Sequence, residues 1–300
     1  MRVTLPVAFA AFLAAVLPAQ AELEVFACEP EWAALANELG GELVATESAT
    51  TAQQDPHYIQ ARPSLIARVR RADLIICTGA DLEAGWLPLL LRQGGNARVQ
   101  PGQPGFFSAS EYVEMLDKPV SVDRSLGDIH PYGNPHVQTD PRNIGLVAEA
   151  LSARLAQLDP DNAASYRMRL DDFSRRWQAA VERWNAMIAP LAGTKVITHH
   201  KGWVYLERWA GLVEFANLEA IPGVPPSARH LAELLDEIAD QQIALIIRSV
   251  YEDSRASEWL SGRTGITEVA LPHTVGSVAG ADDLFGLFDV IVQTLTEAVP

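Results

Sequence analysis

From Leu23 onwards the chain alternates short apolar runs with amphipathic stretches of helical period. Leu23–Cys28 and Glu42–Ala45 read as strands around a helix over Glu31–Leu39 that Gly40-Gly41 ends, the β-α-β signature of a parallel sheet. Pro63 opens a helix to Arg71, Asp73–Cys77 reads as a buried strand, and Leu82–Arg92 is amphipathic and stopped by Gly94-Gly95. Gln100–Pro135 is rich in Pro, Gly and Ser and is expected to be loop with short elements, before helical period resumes over Asn143–Leu158. Asp161–Ile188 is the longest helical pattern. In it Tyr166, Leu170, Phe173, Trp177, Val181 and Trp184 recur every three or four residues, and a helix of that length spans about 42 Å.

After Gly193 the alternation restarts, with strands expected over Lys195–Thr198, Val213–Asn217, Ile243–Arg248 and Thr267–Leu271. Helices are expected over Trp203–Trp209, Ala228–Ala239, Ser254–Ser261 and Asp283–Ala298. The expected fold is therefore α/β. Two Rossmann-like β/α lobes, residues 22–158 and 191–300, would be joined by a long linking α-helix within 159–190, with the site in the interlobe cleft at the carboxyl ends of strands. A helix of that length argues against a wide hinge closure, which leaves Ile221–Arg229, with Pro222, Gly223, Pro225 and Pro226, as the loop expected to order when a ligand arrives.

The first 21 residues follow a different pattern. Arg2, the apolar run Val7–Leu17 and the small-x-small triplet Ala19-Gln20-Ala21 read as a secretory signal peptide cleaved near Ala21. Export is implied, most simply to a periplasm, and Glu22 rather than Cys follows the cleavage site, so no lipid anchor is expected. The chain has 300 residues, 48% of them hydrophobic and 20% charged, which suffices for two cored lobes. Its 38 acidic residues outnumber 23 Lys and Arg, a formal net charge of −15 with no basic stripe, so nucleic acid is excluded as a partner.

Candidate chemistry rests on histidine. His57 lies in Asp55-Pro56-His57, His136 in Asn134-Pro135-His136, His199-His200 directly follows an apolar strand, and Asp282-Asp283 opens the last helix. Three neutral imidazoles and a carboxylate form a donor set that zinc prefers, and each lobe could supply two of the four. Taken singly these residues have plainer readings: a Pro-His in a turn, an Asp at an N-cap, one histidine of the doublet pointing away by strand alternation. His130, His230 and His273 have no partner in sequence. Cys28 and Cys77 fall at the ends of two predicted strands, where either one disulfide or two buried thiols would fit.

Three ordered segments change the odds. Asp55-Pro56-His57 followed by Pro63-Ser64 and Ala72-Asp73-Leu74-Ile75, then Gly133-Asn134-Pro135-His136 with Asp140-Pro141, then Thr198-His199-His200-Lys201-Gly202-Trp203-Val204-Tyr205-Leu206 ending at Gly211-Leu212, together resemble the metal-binding solute-receptor family of ABC transporters, specific for zinc or manganese. The resemblance runs over essentially the whole chain after the signal peptide. It implies a periplasmic receptor, not an enzyme, that captures Zn2+ through His57, His136, His200 and Asp282 and delivers it to an inner-membrane permease. The register places the third ligand at His200, and an imidazole there accompanies zinc where a carboxylate accompanies manganese. The last segment departs from the pattern, because Ala281–Phe288 lacks the family's paired methionines and Asn, and Asp283 stays open as the alternative fourth ligand.

The long His-rich loop of many zinc members is also missing, with only His130 nearby. The subgroup without it resembles receptors loaded by a periplasmic zinc metallochaperone, and a monomer is expected. Two rivals remain in view: a secreted zinc-dependent hydrolase, and a binding module for a small organic solute. The chain lacks His-Glu-x-x-His, a Gly-x-Ser-x-Gly elbow and a Walker loop, which weighs against an enzyme.

Overall fold

The computed structural model describes residues 22–121 and 127–299, and the signal-peptide reading lies outside them. Among the described residues eight strands form two parallel sheets of four. The first contains β1 (Leu23–Ala27), β2 (Val44–Ser48), β3 (Leu74–Cys77) and β4 (Phe106–Ser108) in the order β2-β1-β3-β4. The second repeats the plan with β5 (Lys195–Thr198), β6 (Val213–Asn217), β7 (Ile243–Ser249) and β8 (Thr267–Leu271) in the order β6-β5-β7-β8. In each sheet the order reverses beside the first strand, and the strands all point their carboxyl ends the same way, which builds a crevice above the sheet.

Helices α1 (Pro30–Gly40), α2 (Pro63–Arg71), α3 (Leu87–Gly94) and α4 (Pro141–Leu158) belong to the first lobe. The second lobe holds α6 (Val204–Ala210), α7 (Ala228–Glu237), α8 (Arg255–Thr264) and α9 (Leu284–Ala298), and α5 (Ala163–Ile188) runs between the lobes. The aromatic stripe of α5 is buried as its spacing requires, with Tyr166, Phe173, Trp177 and Trp184 all inside. Trp177 donates its Nε1–H to the Pro141 carbonyl at 2.8 Å and Trp184 donates to Asp289 Oδ1 at 2.6 Å, so each indole is satisfied where it is packed. One apolar cluster runs from Trp32 and Leu35 in the first lobe through α5 to Trp203, Leu206 and Phe288 in the second. Two smaller clusters, around Trp86 and around Leu260, pack the outer face of each sheet.

Three elements differ from the sequence expectation. The third helix begins at Leu87 and not at Leu82, because Pro88 fits only the first turn of a helix and Gly79–Trp86 is taken up by turns. The second strand is displaced to Val44–Ser48, behind a short 3-10 turn at Gly41–Leu43. Within the stretch expected to be loop, Phe106–Ser108 pairs with β3 as the fourth strand, too short to show a period. Cys28, just beyond β1, and Cys77, the last residue of β3, lie 4.7 Å apart at Cα and are joined as a disulfide.

Candidate metal centre

His57, from the turns between β2 and α2, His136, just ahead of α4, and His200, just beyond β5, come together, with one donor atom of each within 4.8 Å of the others. Their ring centroids are 5.3 to 5.6 Å apart and the rings meet edge to face. Nearby side chains position each histidine in its own way. Asp55, two residues before His57, accepts from the His57 backbone N–H at 2.9 Å and lies 2.7 Å from its Nδ1, which turns Nε2 into the cleft, buried and without a partner. Asn134 fixes only the backbone of His136, accepting its N–H at 3.0 Å, and it also crosses the cleft, donating Nδ2–H to the Lys201 carbonyl at 2.7 Å. Tyr205 adds a second bridge by donating to the Asn134 carbonyl at 2.8 Å.

His200 follows β5, and its Nδ1 lies 2.8 Å from Glu219 Oε2. The same oxygen accepts the Gly223 N–H at 2.8 Å, so one carboxylate fixes both the imidazole and the Pro-rich loop beside it. His199 faces away from the triad, as strand alternation demands, and its Nε2 is 4.0 Å from Glu219 Oε1. Above the triad the loop with Asp128 and His130 meets that Pro-rich loop: Tyr58 donates to Asp128 Oδ2 at 2.6 Å, and Asp128 N–H to the Pro222 carbonyl at 3.0 Å. A cavity of about 350 Å3, lined by Asp128, His130, His136, His200 and Pro222 among others, lies between them.

The electrostatics differ from ring to ring. Burial, with the neighbouring imidazoles adding to it, holds His136 well below its ordinary value and pushes His130 and His273 down to about 4. At Asp55 burial opposes the charge, but the His57 hydrogen bonds outweigh it and the carboxyl stays below its usual range. At His200 burial likewise opposes the charge and Glu219 outweighs it, so this imidazole is held above its ordinary value. Both nitrogens of His136 are buried without a partner, as is Nε2 of His57. Buried imidazole nitrogens left unpaired cost free energy unless something binds them, and a cation of the borderline-soft class satisfies one nitrogen of each ring at once. Among the described residues the other group with metal-ligand geometry is Cys28, Cys77 and Glu83, whose two sulfurs are bonded to each other.

Asp282 is not brought to this centre. It is exposed in the segment before α9, and Asp283 is spent as the N-cap of that helix, accepting the Gly286 N–H at 2.8 Å. Asp282 stands eleven residues beyond the end of β8, next to the helix start that Asp283 caps. The loop directly after β8 instead places His273 against the triad, its ring 5.0 Å from that of His136. His130 flanks the other side, 5.3 Å from His57. Both histidines were passed over in the sequence for want of a partner. Pro272-His273 repeats the Pro-His pair found at His57 and His136, a sequence signal that links the three.

Comparison with known proteins now decides the family. The model of the periplasmic zinc-uptake complex component A family, ZnuA, matches residues 25–298. The chain belongs to this family. It is 24% identical to the high-affinity zinc uptake system protein ZnuA of Paracoccus denitrificans (strain Pd 1222), over 97% of this chain and 95% of that one. It is 25% identical to the manganese ABC transporter substrate-binding lipoprotein scaA of Streptococcus gordonii over 55% of this chain and 52% of that one. Among solved structures, a crystal structure of ZnuA superposes with a TM-score of 0.77 at 20% identity, over 93% of this chain and all of that one. The solute-binding protein FpvC of Pseudomonas aeruginosa in complex with Mn2+ gives 0.77 at 19% identity, covering 93% and 99%. These likenesses show the two-lobed fold. The chain is thus a substrate-binding component of a metal ABC transporter, a periplasmic family whose function requires a membrane permease as partner, and no hydrolase reading finds support. No helix among the described residues is long and apolar enough to cross a membrane.

Proposed function

We propose that the chain captures Zn2+ between its lobes and hands it to the permease, with His57 and His136 from the first lobe and His200 from the second as ligands. The supporting observation is the convergence of three imidazoles, two of them with buried unpaired nitrogens, on one point of the cleft. Neutral nitrogen donors suit zinc in tetrahedral geometry, whereas manganese prefers more oxygen and higher coordination. The carboxylates beside the triad, Asp55 and Glu219, are occupied in orienting His57 and His200, which suits a saturated, releasable site better than one that activates water. On this reading the mature chain begins after Ala21, works as a monomer, and takes its ion from solution or from a metallochaperone.

Metal analysis of the purified protein, before and after chelator treatment and zinc refilling, tests the reading. One tightly held zinc per chain is expected, and manganese binding as tight as zinc in a competition titration would overturn it. Replacing His57, His136 or His200 by Ala should each lower zinc affinity at least about 100-fold with the fold intact.

A further inference from the structure

Building on that reading, we infer that His273 is the fourth donor to the captured ion, so that the receptor holds its metal with four imidazoles, and that this position sets which metals it accepts. His273 stands two residues beyond the end of β8, as His200 stands two residues beyond the end of β5 in the same sheet. Its ring lies 5.0 Å from that of His136 at an interplanar angle of 78°. The residue is only 4% exposed, and its Nε2 is buried without a hydrogen-bond partner.

Gly202 ties this ring to the triad. A Cβ on Gly202 would lie 3.4 Å from His200 Cδ2, 3.5 Å from His273 Nε2 and 3.6 Å from His136 Cδ2, so three imidazole edges converge on one bare α-carbon. The triad alone meets within 4.8 Å, so His273 joins it only by an inward turn of its ring when the ion is bound. Its far nitrogen is already braced, with Nδ1 3.2 Å from the Gln138 side-chain amide. The Gln138 Oε1 has no partner. Turning that amide over pairs Oε1 with Nδ1–H and leaves the Nε2 lone pair free for a metal.

Charge balance supports an imidazole at this place. Four neutral nitrogens leave +2 on a divalent ion, and the two carboxylates behind the rings, Asp55 on His57 and Glu219 on His200, supply the two compensating charges without touching the metal. A carboxylate ligand is therefore not needed for neutrality. An all-nitrogen set also disfavours ions that require oxygen ligands.

The test combines X-ray absorption of the zinc form with zinc–manganese competition on the purified protein. Wild type is expected to fit four imidazoles, and His273→Ala three imidazoles plus one water-derived oxygen, with zinc affinity lowered about 10- to 100-fold. His273→Asp should keep zinc within about tenfold of wild type while raising manganese affinity relative to zinc by tenfold or more. His199→Ala and His130→Ala should leave both readouts unchanged. Should His273→Ala fail to fold, His273→Asn is read in the same way. Unchanged absorption and affinity in the His273 variants, or loss of the fourth nitrogen in His130→Ala instead, would overturn the assignment while leaving the receptor reading intact. If replacing His57, His136 and His200 also changed nothing, the receptor site itself would be misplaced.

Discussion

Glu219→Gln isolates what the carboxylate behind a ligand contributes. Its Oε2 takes two hydrogen bonds at 2.8 Å, from the His200 ring and from the Gly223 backbone, and a glutamine oxygen in the same place can take both. What disappears is the charge. A hydrogen bond to a charged group is worth about 1.5–3 kcal/mol and a neutral one about 0.5–1.5, so each bond weakens by roughly 1 kcal/mol. The His200 bond is the one the ion feels, and the lost negative charge no longer offsets the metal. Together these place the loss near 1.4–2.7 kcal/mol, about 10- to 100-fold in zinc affinity, the range for partners that orient a ligand.

The pH dependence supplies a sharper check. Glu219 also stabilises the protonated His200 of the metal-free protein, raising its pKa against the opposing effect of burial, and a bound proton competes with zinc at that ring. In Glu219→Gln the competition is weaker. The wild type therefore loses more affinity than the variant as pH falls from 8 to 6, and the gap between them narrows. Titration against a chromophoric chelator at both pH values measures this. Equal affinities at pH 8, or a gap that widens towards pH 6, would refute the argument.

Further outcomes follow from single features of the fold. His199→Ala should change thermal stability more than zinc affinity, because its ring faces away from the triad; the opposite result in calorimetry and binding would shift the ligand register by one. Glu31 is buried and its carboxyl is pushed up to about 7, by burial above all, so the folded protein keeps a proton that the unfolded chain releases near 4.5. Stability is then expected to fall as pH rises from about 4.5 through about 7, and Glu31→Gln should be more stable than wild type at pH 8 by up to about 3 kcal/mol, with the difference gone by pH 4 in denaturant melts. Replacing Cys28 and Cys77 by Ser opens a loop of sequence separation 49, which costs about 4 kcal/mol on the chain-entropy estimate, while zinc binding persists; a melt unchanged by the double substitution contradicts this. Hydrogen exchange in Ile221–Arg229 should slow when zinc binds, and identical exchange with and without the ion would remove that loop from the response.

The elements that the sequence displayed clearly are those with a long or strongly contrasted pattern. The linking helix, expected over Asp161–Ile188, forms over Ala163–Ile188 because six aromatic and aliphatic positions at helical spacing leave little alternative. Phe106–Ser108 stayed hidden because three residues cannot display a period, and only its pairing with β3 makes it a strand. The histidines of the triad stand 79 and 64 residues apart, so composition and spacing could not group them; ordered resemblance did. Asp282, expected as a fourth donor, lies apart from the triad for a definable reason. An Asp ahead of a helix is chemically an N-cap as readily as a ligand, and Asp283 took that role, while a lone Pro-His after the last strand had no visible partner until the sheet brought it beside His136.

How the ion can leave is constrained by what joins the lobes. The apolar cluster that passes from Trp32 and Leu35 through Trp177 and Trp184 to Trp203 and Phe288 is continuous, so parting the lobes would wet several fully buried aromatics at about 1.5–3 kcal/mol each. The polar ties over the cleft are far weaker. Arg208 with Glu114 and Lys201 with Asp117 are exposed ion pairs worth at most about 1 kcal/mol each, and the Tyr58–Asp128–Pro222 clasp is two hydrogen bonds of about 1 kcal/mol net apiece. Opening that clasp exposes His130, His57 and His200 without disturbing α5. The energetic ordering therefore puts uptake and release in the two loops that meet above the triad, with the lobes and their shared core acting as a fixed frame.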